Sequence, residues 1–298
     1  MRVKKLFGYA IIALVIPTAG ACTKSPASND SAEPAIGTIP VVRTDADIVL
    51  PLDPYIQTTE QRISMTAAAT IIGRDCMKRF GLSWPAAPTG GSDNRPLNAR
   101  RYWIIEPATA KSLGYHAPVS KPTAGDDRPA DFKADKTAMN VWAGLGERTF
   151  GGQPVPEGGC AGEAMRQITK GAPKADPKIA ETLTMQTYKR MMADSRVTRV
   201  FGEWSKCMKE QGFDYPDPGA ASEDLRWQSG ATSDREIGTA VADVTCKTRT
   251  NTAGTMLAVE AAYQRRALDE HADELDAIKT LLQTEFVNAG KVIAGSGR

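Results

Sequence analysis

The feature that most constrains this chain is a ten-residue pattern that occurs twice. Residues 207–216 repeat residues 76–85, found 131 positions earlier, with Cys, Met, Lys, Gly and Pro in the same places. Each copy has a second cysteine downstream, Cys160 after the first and Cys246 after the second. We interpret the pattern as the end of a helix held by a disulfide, and not as an active site.

The first copy shows why the pattern indicates a helix end. Ile72 and Cys76 are four residues apart on an apolar stripe, which places the sulfur on the buried face of the helix. Gly81 then supplies a left-handed position and Leu82 the apolar contact of a Schellman-type end. Pro85 prevents the helix from resuming. The same reasoning applies to the second copy.

The N-terminal residues 1–21 have the composition of an export signal. Three positive charges precede an apolar run of eleven residues, 6–16, which is too short to span a bilayer as a helix. Such a charged start followed by a short apolar segment is typical of a signal peptide. An uncleaved transmembrane helix is the alternative, and the shortness of the apolar run argues against it.

The small residues directly before Cys22 resemble a bacterial lipobox, although Ala19 stands where leucine is usual. The resemblance implies diacylglyceryl transfer to the Cys22 sulfur, cleavage before Cys22 and acylation of the new amino terminus. Several acyl chains anchor a protein stably where one is marginal. An ordinary signal peptide cut nearby, with Cys22 incidental, is the alternative.

The remaining chain divides into three segments by composition. Residues 22–55 are rich in Ser, Ala, Pro and Asp, which predicts a flexible tether. Within it, Val41-Val42 and Ile48-Val49-Leu50 could pack against the folded part. Residues 56–175 and 176–298 form two units, each with one copy of the repeat, that we expect to pack as one body.

Four cysteines remain when Cys22 is set aside, and they allow three pairings. The repeat favours Cys76–Cys160 and Cys207–Cys246, because each copy then closes its own unit. A metal site is the alternative, but the cysteines lack CxxC spacing and the chain has only two histidines, so no metal ligands are predicted.

Helical spacing dominates both units and predicts a mainly α fold of helical units stapled by two disulfides. An irregular insert around 86–135 contains the one convincing strand, Tyr102 to Ile105. The final helix carries Leu268, Leu275 and Leu282, which form a seam either against the helix of Cys207 or in an antiparallel hairpin.

The charge balance excludes one class of partner. Removal of residues 1–21 leaves 277 residues and changes the net charge from +2 to −1, since the removed part carries three positive and no negative charges. A nearly neutral protein gives no electrostatic case for nucleic-acid binding.

Candidate catalytic residues are few, and each has a structural interpretation. Ser92-Asp93-Asn94 matches one element of penicillin-binding serine enzymes, but the accompanying Ser-x-x-Lys and Lys-Thr-Gly elements are missing from the sequence. Glu157 and Glu163 flank Cys160 and could act as paired carboxylates. His116 is a loop residue without a visible partner, and His271 lies on a charged helix face. We therefore predict no catalytic residue and no cofactor.

Several motifs together resemble a known group of proteins. Besides the lipobox, these are residues 158–164, 204–212, 242–247 and 259–264: Gly-Gly-Cys-x-Gly-Glu-Ala, Trp-Ser-x-Cys-Met-x-x-x-Gly, Ala-Asp-Val-x-Cys-Lys and Val-Glu-Ala-Ala-Tyr-Gln. They look like those of uncharacterised actinobacterial exported lipoproteins. The resemblance implies an exported, lipidated, mostly helical and disulfide-bonded protein, and it adds no catalytic residue.

The sequence thus leads us to expect a non-catalytic lipoprotein on the outer face of the cell membrane. Its expected contacts are the membrane, through the lipid on Cys22, and a cell-wall component or an envelope protein. Two other classes stay open: a cell-envelope hydrolase with unrecognised carboxylates, and a solute-binding lipoprotein.

Overall fold

A computed structural model of the chain describes residues 32–86, 95–118, 135–227 and 230–296. Residues 34–298 form one compact unit. Cys22 and the Ser92-Asp93-Asn94 tripeptide lie outside the described residues.

The described part contains these helices: α1 (Thr59–Arg79), α2 (Pro107–Leu113), α3 (Lys136–Ala143), α4 (Gly159–Ile168), α5 (Lys178–Ala193), α6 (Ser195–Glu210), α7 (Pro218–Ser222), α8 (Asp234–Thr250), α9 (Thr252–Glu270) and α10 (Ala272–Ser296). A short antiparallel pair, β1 (Thr149–Phe150) and β2 (Gln153–Pro154), lies in the glycine-rich loop before α4. The predicted mainly α fold is confirmed.

The strand predicted over Tyr102 to Ile105 is wrong. The side chains of Tyr102, Ile104 and Ile105 are buried as a strand would bury them. However, Arg100 and Trp103 both have φ of 61°, a left-handed conformation that interrupts an extended backbone. The run of aromatic and β-branched residues is therefore explained by burial in two clusters of the core and not by pairing in a sheet.

Both copies of the repeat end their helices in the same way. The Leu82 amide donates to the Met77 carbonyl at 3.1 Å, and the Phe213 amide donates to the Met208 carbonyl at 2.9 Å. These are the long bonds of a Schellman motif, closed each time by a glycine with positive φ. The prediction of a repeated helix end is confirmed at the level of individual hydrogen bonds.

The centre of the fold is α9. Every residue from Thr252 to Gln264 is buried, and α5, α6 and α8 pack around this helix. A helix buried on all sides is normally apolar throughout. Here it also carries Glu260 and Gln264, whose polar atoms bond to other segments: the Leu52 amide, for example, donates to Gln264 Oε1 at 2.9 Å.

The two sequence units interlock. Helix α10, from the second unit, packs on α1 and α4 of the first, whereas α2, from the first unit, packs on α8 of the second. Within the segment predicted as a tether, the run Ile48-Val49-Leu50 packs against the folded part through Ile48 and Leu50, as the sequence had allowed. Ile48, Leu50 and Leu52 are at most 3 % exposed and belong to the core, because they cover α5, α6 and α9.

The expected long final helix is divided in two places. Asn251 adopts the left-handed conformation (φ 51°) between α8 and α9, and the chain turns again at His271. Leu275 and Leu282 of the seam are buried with Leu183 of α5, and Leu268 lies at the edge of the same cluster. Of the two predicted seams, the one against the helix of Cys207 is therefore wrong, since the break at His271 directs α10 toward α5, α1 and α4.

Candidate functional site

The two disulfides join the helices that the repeat had indicated. Cys76 at the end of α1 pairs with Cys160 in the first turn of α4, and Cys207 of α6 pairs with Cys246 of α8. Their Cα–Cα distances are 5.5 and 5.7 Å, within the usual range. All four residues are at most 2 % exposed, so the bonds are internal staples.

A buried ion pair lies beside the second disulfide. Lys247 Nζ contacts Asp243 Oδ2 at 3.0 Å and donates to the Ile104 carbonyl at 2.8 Å. Asp243 also accepts from Trp204 Nε1 at 2.9 Å and from the Tyr115 hydroxyl at 3.3 Å. Burial raises the pKa of Asp243 and lowers the pKa of Lys247, because each charge loses its water. The polar atoms of this network bond to one another or to the backbone, which is typical of a structural ion pair.

His116 has a partner that the sequence does not reveal. Its Nδ1 lies 2.8 Å from Glu236 Oε1, which also accepts from the Tyr115 amide at 2.8 Å. Glu236 is buried in the first turn of α8, and its Oε2 has no hydrogen-bond partner among the described residues. The His116 side chain is 29 % exposed. A carboxylate that orients a half-exposed imidazole can support acid–base chemistry, but no described serine or cysteine is bonded to it.

The other candidate residues are separated or engaged elsewhere. Glu163 forms an ion pair with Arg79, whereas the Glu157 side chain is exposed, so no catalytic pair of carboxylates is evident there. His271 Nδ1 lies 3.1 Å from Glu274 on an exposed helix surface, as the charged face predicted. Within the described ranges, no cluster of three or more His, Cys, Asp or Glu side chains could hold a metal ion.

A cleft of about 690 Å³ runs along α5. We call it the α5 cleft; it is lined by Arg101, Thr182, Thr184, Met185, Gln186, Tyr188 and Lys189. Its volume lies in the range of small-molecule sites. Apolar atoms form most of its exposed surface, and Met185 contributes a side chain that is 64 % exposed.

Arg101 stands in the wall of this cleft in a fixed position. Its Nε lies 3.1 and 3.0 Å from the two carboxylate oxygens of Glu260, and its Nη2 also bonds to that carboxylate. The guanidinium carbon lies 5.3 Å from the centre of the Tyr188 ring. The Tyr102 hydroxyl donates to Glu260 Oε2 at 2.9 Å, so the carboxylate is itself held in place.

Sequence reasoning missed this arrangement because Arg101 and Glu260 are 159 residues apart. The available signal was a glutamate inside a stretch, residues 252–264, that carries no other charged side chain, since a buried carboxylate requires a partner.

No helix in the described ranges combines the length and the apolar character needed to cross a bilayer. The two disulfides are typical of proteins that fold in an oxidising, extracytoplasmic environment. Comparison with known proteins adds no assignment, since no protein-family profile, curated protein or solved structure matches this chain.

Proposed function

We propose that this protein is an exported lipoprotein, anchored by lipid on Cys22 to the outer face of the cell membrane, where it acts as a non-catalytic binding protein. Its partner is a cell-wall component or another molecule of the envelope. The lipobox-like sequence before Cys22 and the two disulfides point to the same compartment.

The observation that carries the proposal is that one cysteine, Cys22, is left over when the others are paired. The chain has five cysteines, and four of them are paired in the core. Cys22 is the one left over, and it stands where the lipobox requires it. An odd cysteine in an exported protein calls for a separate role, and thioether formation with a lipid supplies one.

The binding role is supported by how the polar groups are used. The buried charged groups Asp243, Lys247 and Glu260 bond within the protein and hold helices together. The α5 cleft, in contrast, offers apolar surface on a different helix, α5, which packs against α9. The arrangement favours recognition of a ligand over chemistry on it.

The anchor is tested by growing cells with a fatty acid that carries an alkyne and comparing the chain with its Cys22→Ala variant. We expect label on the parent chain alone. Absence of label from the parent chain, or equal label on the variant, would overturn the anchor. Exchange of a second cysteine is unsuitable as a control because it breaks a disulfide, so Ser25→Ala serves as the matched control and should keep the label.

The binding role is tested by crosslinking in intact cells, with the Cys22→Ala chain as the comparison. A crosslinked envelope component that depends on anchoring supports the role. Turnover of purified cell-wall material by the protein would contradict it and favour the hydrolase.

A further inference from the structure

The α5 cleft combines an apolar surface with two cationic side chains that can still bind an anion. Met185 and Tyr188 supply the apolar side chains, and Arg101 and Lys189 supply positive charge. No acidic side chain is among the residues that line it. A ligand that fits this surface is apolar over most of its length and negatively charged at one end.

Arg101 is prepared to bind such a charge. Its Nε and Nη2 are taken by Glu260, with Nη2 also 3.5 Å from the Thr184 carbonyl, but its Nη1 has no hydrogen-bond partner among the described residues. The side chain is 17 % exposed and lines the cleft. A guanidinium that is already held by a buried carboxylate loses little freedom when it binds a second anion.

Lys189, on α5, adds a second positive charge to the cleft. Its side chain is exposed, and no described residue forms an ion pair with it. The charge of Arg101 is largely balanced by Glu260, and Glu223 also acts on Tyr188, so Lys189 is the second cation that the lining offers to a ligand. One fixed donor and one free ammonium suit a carboxylate better than a neutral head group.

We propose that the α5 cleft binds a small amphipathic carboxylate of the fatty-acid class, with its carboxylate on Arg101 Nη1 and Lys189 and its apolar chain along Met185 and Tyr188. The inference rests on the proposed function in treating the chain as a binding protein, and it specifies the chemical class of the ligand.

The test is calorimetric titration of laurate into the exported Cys22→Ala chain, which is purified without detergent. We expect saturable binding of one laurate per chain. Met185→Glu places a negative charge on the apolar wall and should weaken affinity by about tenfold or more, equivalent to the loss of one buried apolar contact. Met165→Glu, at an exposed methionine on α4, is the matched control and should bind as the parent does.

The charged end is tested separately. Lys189→Ala should weaken laurate binding several-fold, whereas Lys178→Ala on the same helix, outside the cleft, should not. Arg101→Lys keeps a charge beside Glu260 but removes the free nitrogen, and it should weaken binding without loss of the folded state, which circular dichroism checks. If Arg101→Lys unfolds, the titrations of Lys189→Ala and Met185→Glu still test the proposed site.

Three results would overturn the inference: no saturable binding of laurate, equal affinity for laurate and for dodecanol, or equal laurate affinity in the parent and in Met185→Glu. None of these results bears on lipid at Cys22, because the titration uses a chain that lacks it. Conversely, failure of fatty-acid labelling at Cys22 would leave the titration unaffected, so the two proposals fail separately.

Discussion

The disulfides make the most quantitative prediction. Cys207 and Cys246 close a loop of 39 residues, and Cys76 and Cys160 close a loop of 84. In the chain-entropy treatment, loops of these sizes stabilise the folded state by about 4 and about 4.5 kcal/mol. A typical domain has a free energy of unfolding of about 5–15 kcal/mol, so each bond supplies a large share.

The perturbation is replacement of one complete pair by alanine, made in the Cys22→Ala background so that no lipid interferes. Urea unfolding, followed by circular dichroism, should give a free energy of unfolding lower by about 4 kcal/mol for the Cys207/Cys246 pair. The loss for the Cys76/Cys160 pair should be slightly larger. Because all four side chains are buried, small cavities add to both values.

Reduction of the parent chain is the control that separates the crosslink from the cavity. Under reducing conditions, the parent and each double variant should differ by the small cavity contribution alone. Double variants within about 1 kcal/mol of the oxidised parent would refute the reasoning, since the loop treatment would then fail for both loops. A Cys76–Cys207 link in non-reduced peptides would refute the pairing itself.

Three further predictions concern single residues. Lys247→Met should lower the free energy of unfolding by about 3–5 kcal/mol, because it leaves Asp243 buried without its cation; urea unfolding measures the loss, and a loss below about 1 kcal/mol would count against the network. Gly212→Ala should lower the free energy of unfolding by about 1 kcal/mol, because Gly212 has a φ of 85°. Gly290→Ala lies inside α10 with open space around it and should raise the free energy of unfolding by about 0.5–1 kcal/mol. Effects of the same sign at both sites would contradict the assignment of Gly212 to a helix end. Burial raises the pKa of Tyr215 to about 12, so its contribution to stability is complete below the unfolded pKa of about 10 and is lost as pH rises from there to about 12. The phenolate absorbance of the parent minus that of Tyr215→Phe should therefore titrate near 12, and titration near 10 would contradict the burial.

Much of the fold could be predicted because its signals are local. Each Schellman end spans six consecutive residues, and each N-terminal cap spans four. Thr58 accepts from the Gln61 amide at 3.2 Å, and Ser233 accepts from the Glu236 amide at 3.2 Å. Such bonds join residues three to five apart, where the spacing in sequence fixes the spacing in space. The disulfide pairing followed because a repeat carries long-range information that a single motif lacks.

The rest depended on contacts between distant residues. Trp103 adopts a left-handed conformation in a segment whose composition indicates a strand, and its ring lies 5.6 Å from Lys247 Nζ, 144 residues later. The Arg101–Glu260 pair likewise joins residues that are 159 positions apart. Secondary-structure propensity reflects a residue and its neighbours in sequence. It therefore cannot predict the position of a side chain that is set by packing against α8 and α9.

We propose that Cys22 is the lipidated first residue of the mature protein, and peptide mass measurement tests this proposal directly. The N-terminal peptide of the chain purified from membranes should begin at Cys22 and carry the mass of a diacylglyceryl thioether and an amide-linked acyl chain. A free Cys22 thiol in that peptide, or a mature chain that begins at another residue, would contradict the account.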